Sequence, residues 1–387
     1  MTVADPLAAA RELAPLIEAE AEAGEAACEI TPTVVDALDD AGLFGLMVPE
    51  VLGGTEAGLV QTVEVFEELS RADGSTGWSL LANASTSSFA GAYTGDDAAN
   101  AMFGGPGRAI HAGMFAPVGT SEIADGGYRI SGHYRFGSGS EHATWMGGGT
   151  FERRDGELAF DAQTGMPVIR TFFVPKGRVE MRGNWEVMGL VGTGSFDYDV
   201  PEQFVEAGYT FPLLTPTVHR GGPIYHLGVL GLTSAGHAAF ALGVGRRALD
   251  ELTAIARSKQ RFGSTPVQDQ QLFQYDFAHH DAALLAARAL VFDVFGDAET
   301  TVQAGSEISA LQLQRLRQAT THATHVSADA VRFAYLWAGS DALRSPSALQ
   351  RCFRDIHAGT QHVFVDNSTF TATTQLLLAD PGATPGS

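Results

Sequence analysis

The chain has 387 residues, of which 45% are hydrophobic and 18% charged, and it carries 24 Lys and Arg against 45 Asp and Glu. The apolar fraction is typical of a globular protein, whereas the net charge of −21 disfavours nucleic acid and membrane surfaces as partners, because phosphate-rich surfaces are bound through Lys and Arg. Two cysteines are too few for a disulfide framework or a thiolate metal site, and no stretch approaches the ~18 consecutive apolar residues of a membrane-spanning helix.

Residues 1–110 have the apolar spacing of helices. Apolar side chains recur at three-residue steps from Val60 to Leu69, and Thr31 before Pro32 predicts a helix start, because proline costs least in the first turn. The opening segment, Met1 to Glu22, mixes alanines with acidic residues. A secretory signal needs a basic start and an apolar centre, so we expect a cytoplasmic protein.

Residues 111–215 have the texture of short strands separated by turns. Glycines precede Tyr128, and the segments Thr171–Val174 and Phe196–Val200 are each followed by a proline, which ends a strand. Many short strands within about a hundred residues predict a compact β-domain, either a barrel or a sandwich.

Residues 216–387 read as four long helices with short connections, which favour an antiparallel four-helix bundle. Glycines at 236, 243 and 245 cost about 1 kcal/mol each relative to alanine, so we expect a close approach of another element to the first helix. The predicted helices run roughly over Leu227–Ser258, Gln268–Phe295, Ser306–Ala338 and Ser347–Leu378.

This order of helical domain, β-domain and bundle resembles the acyl-CoA dehydrogenase fold. The resemblance implies an α+β, mostly helical protein with domains at 1–110, 111–215 and 216–387, and it covers nearly the whole chain. Four local motifs carry it: PEVLGG at Pro49–Gly54, GYRISGHYRFGSGSEHA at Gly127–Ala143, GLVGTGSFDYDV at Gly189–Val200 and LQRCFRDIHAGTQH at Leu349–His362.

One departure from the common acyl-CoA dehydrogenases changes the expected chemistry. Those enzymes carry a glutamate eight residues after the Asp of the Arg-Asp pair, as the base that takes the substrate's α-proton. Here Arg354-Asp355 is followed at that distance by Val363, which cannot accept a proton. His362 instead falls where a related group, the two-component flavin-dependent monooxygenases, has its catalytic histidine.

The resemblance therefore implies an oxygenase component that hydroxylates a phenol-like or indole-like small molecule through a flavin C4a-hydroperoxide, formed from reduced flavin and O₂. Two roles for His362 stay open: a base that draws the proton from the substrate's hydroxyl or ring nitrogen, or a hydrogen-bonding partner of the peroxide. A histidine that merely packs in the bundle is the alternative.

The resemblance also implies the cofactor and its contacts. It places Ser138 at flavin N5, and a Gly-Ser turn without that role is the alternative. No Gly-rich strand–loop–helix fingerprint for a nicotinamide is present, so reduced FAD or FMN is expected to come from a separate reductase. The expected flavin-binding residues are Ser138, Ser140, Thr193, Gly194, Arg257, Arg261 and Phe262. The resemblance places the two arginines at the phosphates across a dimer interface, with Phe262 near the nucleotide, and a solvated helix end is the alternative.

Trp78, His111 and His362 are the expected substrate contacts, and no metal site is predicted, because His322 and His325 lack an accompanying ligand pattern. A homotetramer or homodimer is expected, since the bundle of this fold is shared between subunits. Two other activities stay open: an acyl-CoA dehydrogenase with its base relocated to another helix, and a flavin-dependent N-oxygenase of amino-sugars.

Overall fold

Three blocks of secondary structure follow one another along the chain. The computed structural model describes residues 5–105, 107–162, 164–215, 217–260 and 262–379. In them, α-helices end at Phe103, strands run from His111 to Pro212, and α-helices resume at Gly228. The division into domains at residues 110 and 215 stays a prediction. The changes from helices to strands and back to helices lie near these two positions.

The first block consists of helices whose starts are set by capping side chains. Thr31 Oγ1 accepts the Val34 amide at 3.4 Å, so a helix does begin at Pro32, as predicted. Asp73 caps the fourth helix by accepting the Thr76 amide at 2.8 Å. The five helices are α1 (Pro6–Ala27), α2 (Pro32–Asp40), α3 (Leu59–Ala72), α4 (Gly74–Tyr93) and α5 (Asp96–Phe103).

Helix α4 occupies the middle of the molecule. Nearly all of its side chains are buried, and it contacts the first strand of the sheet as well as two helices of the last block. A helix that is covered all round belongs to a core rather than to a surface. Side chains of α4 therefore reach both neighbouring blocks.

The second block is one mixed sheet. Its strands are β1 (His111–Ala124), β2 (Gly127–Gly137), β3 (Trp145–Arg154), β4 (Glu157–Leu158), β5 (Ile169–Pro175), β6 (Glu180–Met181), β7 (Phe196–Glu206) and β8 (Thr210–Pro212). They lie in the order β6-β7-β2-β1-β3-β5-β8, with β4 paired to β3. The β1–β3 pair is parallel, whereas the other pairs are antiparallel.

The compact β-domain is confirmed, but the sheet is not closed into a barrel. Its path ends at β6 and β8, which are too short to pair with each other along a whole edge. In the centre, the β2–β7 register ends at the pair Gly137 and Phe196. The residues just beyond that pair, Ser138 and Ser195, therefore meet.

The third block contains α6 (Gly228–Ser258), α7 (Gln271–Gln303), α8 (Ala310–Ala338), α9 (Ala348–Gly359) and α10 (Ser368–Ala379). The first three predicted long helices are confirmed. The predicted continuous fourth helix is wrong, because it is interrupted over residues 360–367, where a short 3₁₀ turn forms at Val363–Val365.

Side chains explain this interruption. His362 Nδ1 accepts the Phe364 amide at 3.2 Å, and the Asp366 carboxylate accepts the Ser368 amide at 2.8 Å, where α10 starts. Both bonds compete with the helical pattern of the backbone. His362 consequently lies at a break between two helices and not on a regular helix face.

The glycines of α6 do mark close contacts. A Cβ atom on Gly236 would lie 2.8 Å from Leu81 Cβ of α4, and one on Gly243 would lie 2.4 Å from the Glu67 carbonyl oxygen of α3. Both distances are shorter than a normal van der Waals contact. The first block therefore packs directly against the backbone of α6.

The segment Pro223–Ser258 is long and apolar enough to cross a membrane by those two measures alone. However, 83% of its most apolar window is buried inside the protein. Burial of this kind is the property of a core helix, which passes the same test.

Asp355 of α9 joins the bundle to the β-domain. Its Oδ1 accepts the Leu190 amide at 2.6 Å, and a Cβ on Gly74 would lie only 2.8 Å from its Oδ2. Burial, and next the charge of neighbouring Asp73, raise the pKa of Asp355 to about 7. The carboxylate therefore serves as an acceptor at a site that disfavours its charge.

Replacing Asp355 with Asn keeps an acceptor oxygen and removes the charge. An acid with a raised pKa in the folded state contributes stability at low pH that is lost as the pH rises from about 4 to about 7. We expect wild type to lose more free energy of unfolding than Asp355→Asn between about pH 5 and pH 8, by on the order of 2 kcal/mol. Denaturant unfolding at both pH values measures this difference.

Asp355→Ala provides the contrast, because it removes the acceptor as well as the charge. It should destabilise the protein at both pH values, by about 1–3 kcal/mol, since the Leu190 amide loses its buried partner. Equal pH dependence in wild type and Asp355→Asn would contradict the assigned pKa.

Candidate active site

Three of the predicted site residues meet between the three blocks. Trp78 of α4 donates its indole N–H to Ser138 Oγ, just beyond β2, at 3.1 Å. The Trp78 ring contacts the imidazole of His362 edge-on, with ring centroids 5.7 Å apart. The end of a strand, a core helix and the break before α10 therefore supply one side chain each to a shared cluster.

His237 of α6 is a fourth member that the sequence did not point to. Its Nε2 lies 3.0 Å from Nδ1 of His362, and its ring lies 5.2 Å from that of Trp78. Because Gly236 brings the backbone of α6 against α4, the next residue can face the same cleft. A histidine directly after a close-contact glycine, in the mostly apolar first half of a helix, was the signal available in the sequence.

Both histidines are neutral near pH 7. Burial lowers the pKa of His362 to about 4. Burial, and then the neighbouring His362, lower the pKa of His237 well below its ordinary value, while the Thr233 backbone opposes this shift. A neutral imidazole has one N–H and one unprotonated nitrogen, so each ring can donate through the first and accept through the lone pair of the second.

A chain of hydroxyl groups continues from Ser138. Ser138 Oγ lies 2.7 Å from Ser195 Oγ, which lies 2.7 Å from Thr193 Oγ1, and Thr193 Oγ1 donates to the Leu190 carbonyl at 2.7 Å. We call Ser138, Ser195, Thr193 and the Leu190 carbonyl the hydroxyl chain.

The direction of each bond in the hydroxyl chain follows from its two ends. The Leu190 carbonyl only accepts and the Trp78 indole only donates. Thr193 must therefore donate to Leu190, Ser195 to Thr193, and Ser138 to Ser195. Ser138 Oγ already accepts the indole N–H and has used its one proton, so it has a lone pair left and no hydrogen to offer.

The other predicted flavin-side residues lock the two loops together. Ser140 Oγ donates to the Gly194 carbonyl at 3.3 Å, and the Gly139 amide donates to the Thr193 carbonyl at 3.0 Å. Gly194 has φ +51, in the region that favours glycine. The hydroxyls of Ser140 and Thr193 thus bond protein groups and hold Ser138 in place.

His111 lies outside this cluster. Its ring is fully buried, stacked on Phe103 at 4.8 Å and edge-on to Phe173 at 5.7 Å, and its Nδ1 lies 3.0 Å from Ser87 Oγ. Burial lowers its pKa to about 3, and its Nε2 has no hydrogen-bond partner in the described part of the chain. The Asn83 side chain links the His111 carbonyl to the Ser138 loop.

Arg257, the first predicted phosphate-binding residue, is distant from the cluster. It is exposed near the end of α6, twenty residues beyond His237, which corresponds to about 30 Å of helix. Phe262 is fully exposed, and Arg261 lies outside the described residues. Arg257 therefore does not reach Trp78 of the same subunit.

No carboxylate of the described residues hydrogen-bonds to His237 or His362. Val363, at the position of the dehydrogenase base, is 75% exposed. No group of three or more His, Cys, Asp or Glu side chains among those residues could hold a metal ion. The cluster is thus built from neutral donors and acceptors and not from charges.

The chain matches two family descriptions and several named proteins. Residues 7–102 match the acyl-CoA dehydrogenase N-terminal domain, and residues 235–367 match the acyl-CoA dehydrogenase C-terminal domain. The chain is 30% identical to the indole-3-acetate monooxygenase of Pseudomonas putida, over 88% of this chain and 85% of that protein.

It is also 27% identical to the flavin-dependent monooxygenase, oxygenase subunit HsaA, of Mycobacterium tuberculosis, over 93% of this chain and 91% of that protein. The crystal structure of the HsaA monooxygenase from M. tuberculosis has a TM-score of 0.89, with 24% identity, over 99% of each chain. That structural likeness shows a shared fold.

We expect Trp78→Phe to be a mild change and Trp78→Ala a severe one. Phenylalanine keeps most of the ring contacts with the two histidines and loses only the bond to Ser138, at about 1 kcal/mol, whereas alanine leaves a cavity that costs roughly 3–5 kcal/mol. Denaturant unfolding measures both values. Trp337→Phe is the control, because the Trp337 indole makes no hydrogen bond within the described residues. Equal losses of unfolding free energy in Trp78→Phe and Trp78→Ala would contradict this account.

Proposed function

This chain belongs to the flavin-dependent monooxygenases built on the acyl-CoA dehydrogenase fold, and from that premise we propose that it is the oxygenase component of a two-component system. It takes reduced FAD or FMN from a separate reductase and, with O₂, hydroxylates an aromatic or heteroaromatic small molecule such as a phenol or indole. The observation that carries this proposal is the hydroxyl chain, which leaves Ser138 able to accept a hydrogen bond but not to donate one.

Ser138 fits a reduced flavin better than an oxidised one. Reduced flavin carries a hydrogen on N5, whereas oxidised flavin presents a bare nitrogen there. Because the proton of Ser138 is held by Ser195, its oxygen suits the N5–H and repels the lone pair of the oxidised ring. A protein that receives flavin already reduced needs this preference.

When bound, the reduced flavin would supply two electrons to O₂, of which one oxygen atom enters the substrate and the other leaves as water. The protein holds the reacting groups in place and keeps water out. The buried cluster around Trp78 suits this task, since the Trp78 indole is bonded to Ser138 and the two imidazoles contact each other. Escape of oxygen as H₂O₂ is the side reaction that such a site must suppress.

His362 is the residue we assign to the substrate. Its Nδ1 is occupied by the Phe364 amide and by His237, and its Nε2 makes no hydrogen bond within the described residues. Nε2 is therefore the atom that meets a polar group of an aromatic substrate, with Trp78 beside it as an apolar wall. His111 is a further candidate through its unpartnered Nε2.

The phosphate end of the flavin requires basic groups, and we assign Arg257 and Arg261 to it, with Phe262 beside the nucleotide. Since Arg257 lies about 30 Å along α6 from His237, these side chains serve the flavin of a neighbouring subunit. A homodimer or homotetramer is accordingly part of the proposal, as is a cytoplasmic location, where a reductase can deliver its product.

Reduced flavin should bind this protein more tightly than oxidised flavin. The measurement is an anaerobic titration with FMN and FAD in both redox states, followed by mixing with O₂ and a panel of phenols and indoles, with hydroxylated product and H₂O₂ both quantified. Tight binding of oxidised FAD, and its reduction by an acyl thioester without air, would instead indicate a dehydrogenase.

His362→Ala should lower product formation about 100-fold, the usual contribution of a positioned acid–base or hydrogen-bonding group, while H₂O₂ release continues. The matched control is His357→Ala on α9, because within the described residues the His357 imidazole hydrogen-bonds only the Phe353 carbonyl of its own helix. Equal losses in the two variants would remove His362 from the mechanism.

Ser195→Ala should weaken the preference for reduced flavin. Without Ser195, the Ser138 proton is free to bond the bare N5 of oxidised flavin, so the ratio of the two dissociation constants should fall about tenfold. Ser88→Ala is the control, since that buried hydroxyl donates to Ser85 within α4. An unchanged ratio in Ser195→Ala, with normal binding, would contradict the assigned direction of the hydroxyl chain.

A further inference from the structure

We infer that His237 is a positioning residue: it donates its Nε2–H to Nδ1 of His362 and so holds His362 in the tautomer whose proton is on Nε2. The consequence for catalysis rests on the proposed function, because there His362 meets the substrate. The tautomer itself follows from the contacts of four groups, namely His362, His237, the Phe364 amide and the Thr233 backbone.

The Phe364 amide fixes the first step. It lies 3.2 Å from His362 Nδ1, and a backbone amide can only donate, so Nδ1 must present a lone pair. The turn that carries this amide is anchored: the Val365 amide donates to the His362 carbonyl at 3.1 Å, and Arg317 of α8 donates to the Phe364 carbonyl at 3.2 Å. The backbone of the turn therefore requires Nδ1 of His362 to be a hydrogen-bond acceptor.

His237 completes the second step. Its Nε2 lies 3.0 Å from the same Nδ1, and two lone pairs at that distance would repel each other. His237 Nε2 must therefore carry the proton, and its N–H shares the Nδ1 lone pair of His362 with the Phe364 amide. Because burial keeps this imidazole neutral, it has only one N–H, and its buried Nδ1 makes no hydrogen bond within the described residues.

A second placement of the protons on the two imidazoles competes with this one. The Thr233 backbone, one turn earlier on α6, favours a proton on the ring of His237. With that proton on Nδ1, His237 Nε2 would become an acceptor and His362 Nδ1–H its donor. The Phe364 amide would then lose its partner in a buried turn, at a cost that favours the first arrangement.

The position of His237 is rigid enough for this task. Its side chain is 5% exposed and lies between the rings of Trp78 and Phe364, at 5.2 Å and 5.1 Å. Gly236 allows α6 to pack closely against Leu81 of α4, and this packing fixes the position of the imidazole along α4. Rotation of His237 away from His362 would need these contacts to open.

The outcome distinguishes the two roles that the sequence left open for His362. With its proton on Nε2, the free nitrogen of His362 is a hydrogen-bond donor and not a base. A donor at that point stabilises negative charge on an oxygen, either of an ionised phenol or of the oxygen being transferred. His362 thus acts by donating a hydrogen bond, and His237 acts only through it.

Histidine-selective ¹⁵N labelling and NMR of the flavin-free protein test the tautomer directly. Signals of His362 and His237 are assigned by their loss in single variants. In wild type we expect an unprotonated Nδ1 and a protonated Nε2 for His362, and a protonated Nε2 for His237. A protonated Nδ1 on His362 would overturn the inference without any variant.

Two substitutions test the role of His237. His237→Gln keeps an N–H in place of Nε2 and should retain the wild-type tautomer of His362, whereas His237→Phe keeps ring packing and should shift the tautomer ratio about fivefold towards Nδ1–H. Product formed per flavin oxidised should fall in His237→Phe and recover in His237→Gln. An unchanged His362 spectrum in His237→Phe would show that the Phe364 amide alone sets the tautomer.

These results separate the two levels of the proposal. If wild type binds no reduced flavin, the proposed function fails, and the spectra still decide the tautomer. If reduced flavin binds and product forms, but His237→Phe and His237→Gln lose coupling equally, His237 is structural and the inference fails alone.

Discussion

The hydrogen bond from the Trp78 indole to Ser138 Oγ is the interaction on which the centre of this molecule depends. It joins a core helix to the end of a strand, and the same indole contacts His237 and His362 of the bundle. All three blocks thus meet at one side chain that has a single N–H. In a buried site, a polar atom facing the wrong way costs about 1–3 kcal/mol, so the direction of this one bond constrains its neighbours.

That constraint extends to Leu190. Its carbonyl accepts the Thr193 hydroxyl and the Trp185 indole, while its amide donates to Asp355. Leu190 has φ +56, a backbone conformation that is unfavourable for any residue other than glycine. The bonds at both ends of this residue hold the strained backbone, and the carbonyl they orient decides what Ser138 can offer to a ligand.

The sequence predicted most residues of the cluster but not the hydrogen bonds that orient them. Trp78, Ser138 and His362 were predicted individually from motifs that lie far apart, and the fold brings them together. His237 was missed because its role depends on the packing of α6 against α4, which periodicity does not reveal. Ser195 lay inside a recognised motif, but a hydroxyl that orients another hydroxyl has no signature in composition or spacing.

The interruption before α10 was missed for a related reason. The helical pattern of apolar residues continues through it without a proline, and only the bond from the Phe364 amide to His362 shows why the backbone leaves the helix. The sheet stays open and does not form a barrel, one of the two forms expected, because β6 and β8 are too short to close it. The helix interruption and the open sheet both depend on contacts that form only in the folded structure, between side chains in one case and between strands in the other.

This interruption also sets where the side chains of residues 362 and 363 point. In a continuous helix, neighbouring residues would point about 100° apart. Here the break turns the imidazole of His362 towards Trp78 and leaves Val363 75% exposed. A carboxylate placed at 363 alone would therefore lie in solvent and not against the cluster, so a carboxylate base at this site would require a different backbone as well as a different side chain.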